Sequence, residues 1–151
     1  MKAFATVDDV LAFAIGEEEA AYQFYTDLAG KVTDPAMRRI LTGFAAEELG
    51  HKARLEGVRK GGKALNLTQN VQDLGLAEIL VAPPVTDAVD YEQALILAMH
   101  KEKAAFRIYS ILSETALDPG LQALFAGLAQ EEAKHKLRFE VEYDERAMGE
   151  N

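Results

Sequence analysis

Apolar residues recur along this chain every three or four positions in four separate stretches, and almost never in alternation. The first runs Leu11, Ala14, Ala21, Tyr25, Leu28, and the second Met37, Leu41, Phe44, Leu55, Val58. The third runs Leu95, Ala98, Ala105, Tyr109, Leu112, and the fourth Leu121, Phe125, Leu128, Phe139. A 3-4 spacing places side chains on one face of an α-helix, so each stretch predicts a helix with an apolar stripe. Start signals agree. Asp34-Pro35 and Asp118-Pro119 each read as an N-cap aspartate followed by proline at the first helical position. Thr6 with Asp9, and Asp90 with Gln93, have the spacing of capping boxes. The helices are therefore expected near 7–29, 35–58, 91–114 and 119–146.

A shift of 84 residues lays the second half on the first without a gap. Leu11 falls on Leu95, Glu18 on Glu102, Tyr25 on Tyr109 and Asp34-Pro35 on Asp118-Pro119. Glu47-Glu48 falls on Glu131-Glu132, and His51-Lys52 on His135-Lys136. Two copies of a helical hairpin can bury their stripes by packing together. The expected fold class is all-α: a single domain over 1–151, a four-helix bundle built from hairpins 7–58 and 91–146. The crossover 59–90 is too long for a tight turn and suits a connection running the length of a bundle. Its Leu74, Leu76, Ile79, Leu80 and Val81 predict packing against the surface, with a short helix near 73–80.

Charged residues interrupt every stripe. Glu18 and Glu102 stand in the first and third, and Glu48–His51 and Glu132–His135 occupy consecutive stripe positions in the second and fourth. A buried carboxylate without compensation costs several kcal/mol, against a net stability of roughly 5–15 kcal/mol for a whole domain. No Lys or Arg lies on the stripes to offset four of them. Two divalent cations balance four carboxylates and two neutral imidazoles. One Glu from each of two helices with Glu-x-x-His from each of the other two is the ligand set of di-iron and di-manganese helical bundles. Oxygen-rich donors with one imidazole per ion suit iron or manganese better than structural zinc. The expected metal ligands are Glu18, Glu48, His51, Glu102, Glu132 and His135, holding two iron ions, with manganese or zinc as alternatives.

Other polar residues read differently. Glu17, Glu19, Glu47 and Glu131 fall off the stripes and are expected in water, as is His100. Tyr25 and Tyr109 each follow a stripe Glu by seven residues on the same face. Each is either a core aromatic or a hydroxyl that orients a ligand carboxylate. Arg54 and Arg138, three past each His, are expected as surface partners of acids.

Composition narrows the rest. Without cysteine there is no disulfide, thiolate zinc site, iron–sulfur cluster or thiol catalysis within the chain. A net charge of −9 argues against nucleic acid as a partner. The stretch Met1–Thr6 lacks the apolar run of a signal peptide, and no stretch approaches the ~18 apolar residues of a membrane span. The expectation is a soluble, cytoplasmic protein.

The segments AIGEEEAAYQFYTDLA, FAAEELGHKARLE, LAMHKEKAAFRIYSILSE and LAQEEAKHKLRFE resemble the di-iron domain of rubrerythrins, in the ferritin-like superfamily. The resemblance spans nearly the whole chain and all six stripe donors. It implies iron held between four helices, reaction with hydrogen peroxide or dioxygen, and a homodimer. Two departures stand out. Typical rubrerythrins carry a four-cysteine electron-transfer domain, so the resemblance here implies a separate electron donor. They also carry an additional Glu three residues past the third-helix ligand, where this chain has Ala105, with Ala21 as its repeat mate. The resulting symmetric six-ligand set is closer to that of bacterioferritins. A ferritin-type protein that oxidises and stores iron, a bundle that metal merely staples, and a di-iron oxygenase acting on an organic substrate are the alternative readings.

Overall fold

The computed structural model of the protein describes residues 6–61 and 90–149. The crossover expected over 59–90, with its short helix near 73–80, therefore lies mostly outside the described residues. The described residues form four helices: α1 (Val7–Lys31), α2 (Pro35–Lys60), α3 (Tyr91–Thr115) and α4 (Pro119–Gly149). Among the described residues there is no strand, and no helix is long and apolar enough to cross a membrane. The helices group into two compact units, α1 with α2 and α3 with α4.

Each helix begins where its cap dictates. The Thr6 hydroxyl accepts from the Asp9 amide at 3.1 Å, and the Asp9 carboxylate accepts from the Thr6 amide at 3.1 Å. Asp90 and Gln93 repeat the reciprocal pair at 2.8 and 3.2 Å. Asp34 Oδ1 accepts from the Ala36 amide, and Asp118 Oδ1 from the Gly120 amide, with Pro35 and Pro119 leading α2 and α4. These bonds satisfy amide donors that the first helical turn leaves unpaired.

In the first unit the chain leaves α1 at Val32, whose amide still donates to Leu28 O, and re-enters helix at Pro35. Arg38 Nη2 reaches back from α2 to donate to Val32 O at 2.7 Å, closing the turn. The second unit makes the same closure with a different side chain: Gln122 Nε2 donates to Ala116 O at 2.6 Å. Positions 38 and 122, like 32 and 116, are repeat mates. The far ends are tied differently. Arg59 makes a two-pronged ion pair with Asp8 at 2.9 and 3.1 Å. In the second unit the Tyr91 hydroxyl donates to Glu142 at 3.3 Å, and the Arg146 guanidinium lies 4.6 Å from the Tyr91 ring centre.

The stripes are buried much as the spacing predicts. Leu11, Ala14, Tyr25 and Leu28 on α1, Met37, Leu41 and Leu55 on α2, Leu95, Ala98, Tyr109 and Leu112 on α3, and Leu121, Phe125, Leu128 and Phe139 on α4 are all buried. Phe44 and Val58, expected in the α2 stripe, are only half-buried. Ala105 is half-buried too, whereas its mate Ala21 is 6% exposed. The two copies thus share a pattern without sharing every environment.

Candidate metal centre

In the first hairpin, α1 contributes Glu18 and α2 contributes Glu48 and His51. Glu48 and His51 project from one face because three residues cover most of a helical turn. All three side chains are sealed from water, with relative exposures of 2%, 2% and 1%. His51 Nδ1 lies 3.4 Å from Glu18 Oε2 and 3.4 Å from Glu48 Oε1. In the second hairpin α3 contributes Glu102 and α4 contributes Glu132 and His135, all equally buried. There His135 Nδ1 lies 3.6 Å from Glu102 Oε1. Within each set of three, every residue offers one donor atom within 4.8 Å of the other two.

These distances bear on what the groups are for. An N–H···O hydrogen bond is typically 2.7–3.2 Å long, and the imidazole–carboxylate separations of 3.4–3.6 Å exceed that. Two donors bound to one ion at ~2.1 Å, about 90–110° apart, stand roughly 3.0–3.4 Å from each other. The 3.4 Å separations of the first hairpin reach the upper end of that span, and the 3.6 Å one of the second lies just beyond it. The donor set is also right for a divalent cation that tolerates both oxygen and nitrogen. Each set of carboxylates and imidazole could therefore hold a metal ion, and the residues fit the group their chemistry implies.

Around the sets the structure sorts the remaining polar residues. Tyr25 and Tyr109 are buried in aromatic surroundings: Tyr25 meets Phe24 and Phe44 edge-on, and Tyr109 stacks on Phe125 at 6.5 Å and 11°. Glu17, Glu47, His100 and Arg54 are exposed, while Glu131 and Arg138 are half-buried. Glu19 was expected simply in water. It is instead half-buried and holds Lys52 of α2 at 2.9 Å. The Lys52 ammonium, by hydrogen bond and charge, holds the Glu19 carboxyl below its ordinary range, and Glu19 raises Lys52 in turn. Glu18–His51 and Glu19–Lys52 thus link α1 to α2 at the same level, one inside and one at the rim. The repeat could have exposed this: the mates of Glu19 and Lys52 are Lys103 and Lys136, which cannot pair with each other. Lys136 turns along its own helix to Glu140, at 2.9 Å.

Helices whose apolar stripes carry one Glu from each of two and Glu-x-x-His from each of the other two have the attributes of the ferritin-like class. Solved structures agree on the fold. A protein of Thermotoga maritima assigned to the ferritin-like diiron-carboxylate class matches with a TM-score of 0.76 over 97% of this chain and 99% of its own, at 16% identity. A protein of Pyrococcus furiosus matches with a TM-score of 0.70 over 91% of this chain and 88% of its own, at 24% identity. No curated protein matches the chain closely enough to count as a relative. The rubrerythrin family model matches residues 9–143, and the chain belongs to that family. Its fold class is the all-α, ferritin-like four-helix bundle.

Proposed function

We propose that this chain is a di-iron carboxylate oxidoreductase that reacts with hydrogen peroxide or dioxygen, holding two iron ions through Glu18, Glu48, His51, Glu102, Glu132 and His135. The observation that carries the reading is the twice-made set of buried carboxylate and imidazole donors, 3.4–3.6 Å apart, in a member of the rubrerythrin family. Bound iron supplies electrons and Lewis acidity for cleaving an O–O bond.

The protein's own residues do the rest. Glu-x-x-His on α2 and α4 places a carboxylate and an imidazole on one side of each helix, so their relative position is set by helix geometry and needs no loop. Glu18 and Glu102 complete the sets from α1 and α3. Leu55, Tyr25, Phe125 and Phe139 are buried on the same helices and keep bulk water from the donors. Tyr25 and Tyr109 stand seven residues, about two turns, past Glu18 and Glu102 on the same helix faces. They serve to orient ligand carboxylates. Reducing equivalents come from a separate donor, and the protein works as a soluble cytoplasmic homodimer.

Anaerobic loading with Fe(II), iron quantitation, then addition of peroxide tests the reading. Two irons per chain and fast growth of near-ultraviolet ferric absorption are expected. Fully loaded protein that stays ferrous sinks the redox role. Tightly held zinc or manganese with no turnover instead indicates a metal staple. The symmetric six-donor set, with Ala105 where an additional Glu would stand and Ala21 as its repeat mate, favours a second reading of ferritin-type iron oxidation and storage. Storage needs a hollow multimer, so a dimer on size-exclusion chromatography excludes it.

A further inference from the structure

The repeat acts as an internal control. Where the two copies share a core yet differ at the surface, packing does not account for the difference. The largest divergence flanks the buried Glu of α1 and α3. Residues 16–23 read Gly-Glu-Glu-Glu-Ala-Ala-Tyr-Gln, and their mates 100–107 read His-Lys-Glu-Lys-Ala-Ala-Phe-Arg. Leaving the buried Glu aside, Glu17 and Glu19 give −2 in the first copy, and Lys101, Lys103 and Arg107 give +3 in the second.

Helix geometry concentrates part of that charge. Ile96, His100, Lys103 and Arg107 follow one another at 4-3-4 spacing, so they form one stripe along α3. All four are exposed, and Phe106 beside them is 39% exposed. The mates Ala12, Gly16, Glu19 and Gln23 carry one negative charge and no large apolar side chain. The stripe thus combines cations with exposed apolar area, the mixture of a docking surface more than of a merely solvated face. It lies on a chain of net charge −9. At physiological ionic strength charges act over only ~8 Å, so an acidic partner approaching this face meets the stripe and not the net charge. Glu102, buried at 1% exposure, is the residue next to Lys103, about 100° round a helix ~10–12 Å across.

We propose that the exposed stripe Ile96, His100, Lys103 and Arg107, with Phe106, is the docking surface for a small acidic one-electron carrier protein. The proposal rests on the redox reading above, which requires an external reductant. With peroxide as oxidant the balance is H2O2 + 2 e⁻ + 2 H⁺ → 2 H2O. Two molecules of reduced carrier each give up one electron at this face, and the protons come from solvent.

The test uses the iron-loaded protein and flavodoxin, an acidic FMN carrier, as the probe. Binding of oxidised flavodoxin is measured calorimetrically at low and physiological salt, and transfer from reduced flavodoxin by stopped flow. The doubly reversed variant Lys103→Glu with Arg107→Glu is compared with Arg39→Glu with Lys60→Glu, which changes net charge equally on another exposed surface. The expected result is a loss of about tenfold or more in association for the first variant, little change for the second, and weakening with salt in the wild type. Iron content is unaffected in both. Equal effects of the two variants, or no binding by the wild type, overturn the proposal. So does binding to phosphatidylglycerol vesicles, but not to flavodoxin, that depends on Lys103 and Arg107. A chain that binds no iron yet docks flavodoxin through Lys103 and Arg107 refutes the di-iron reading and leaves the docking surface standing.

Discussion

At the scale of single residues, the central contrast is between buried and rim charges. Glu48 and Glu132 are sealed from water beside a histidine three residues on, and each belongs to a set of three donors. Glu48→Ala and Glu132→Ala are each expected to lower bound iron from two ions per chain to one or fewer, read by metal analysis of protein purified without added metal. Tyr109 is stacked on Phe125, so Tyr109→Phe keeps the packing and removes only a hydroxyl. It is expected to cost about 1 kcal/mol or less, to leave iron content unchanged and to slow ferrous oxidation; an unchanged rate makes Tyr109 a core aromatic and nothing more. Rim pairing carries a pH signature instead. Glu19 is held below its ordinary value of 4.5, so its contribution is present above that value and lost as pH falls through the lowered one. Lys52 is raised above 10.5, so its contribution is present below that value and lost as pH rises through the raised one. Wild type should therefore melt above Glu19→Gln at neutral pH, and the gap should close as pH falls below the ordinary glutamate range.

At the scale of elements, the helices owe their limits to short-range chemistry. Thr6 and Asp90 each cap a helix in a reciprocal box, and replacing either by alanine is expected to cost about 1 kcal/mol. Urea unfolding should show a lower midpoint with an unchanged slope, since the surface exposed on unfolding does not change. The hairpin turns show how far a repeat can diverge while its geometry holds. Arg38 and Gln122 differ in charge and length, yet each donates to the carbonyl six residues before it, at 2.7 and 2.6 Å. What the fold conserves between the copies is a donor at that place and not a residue type. The pairing at Glu19–Lys52, replaced by Lys136–Glu140 in the other hairpin, is the opposite case. There the first copy joins its two helices at the level of its donors, and the second does not.

For the molecule as a whole, a metal held by the buried carboxylates would make folding and metal binding one equilibrium. A ligand that binds only the folded state adds ~2.7 kcal/mol at a hundred times its dissociation constant. For a domain of this length each kcal/mol moves Tm by roughly 2–4 °C. Differential scanning calorimetry should show Fe(II) or Mn(II) raising Tm by about 5–10 °C over protein treated with a chelator. A chelated protein that melts at the same temperature as the loaded one removes the reason given for six ionisable groups in a dry interior.

The sequence alone determined the four helices, their starting residues, the duplication and the buried donor positions. All of these depend on spacing within one helix or on caps a few residues long, and such information is local. The four starting residues came out as the caps required, and the α1, α2 and α3 ends within two residues, while α4 runs three further, to Gly149. Tertiary structure decided what depends on two helices at once. It brought Glu18 to His51 and Glu102 to His135, set Glu19 against Lys52, and turned Arg38 and Gln122 back onto their hairpins. It also left Phe44 and Ala105 half-buried on stripes that spacing treats as uniform. Spacing says which face of a helix a residue occupies; how deeply that face is covered, and by what, is a property of the neighbour.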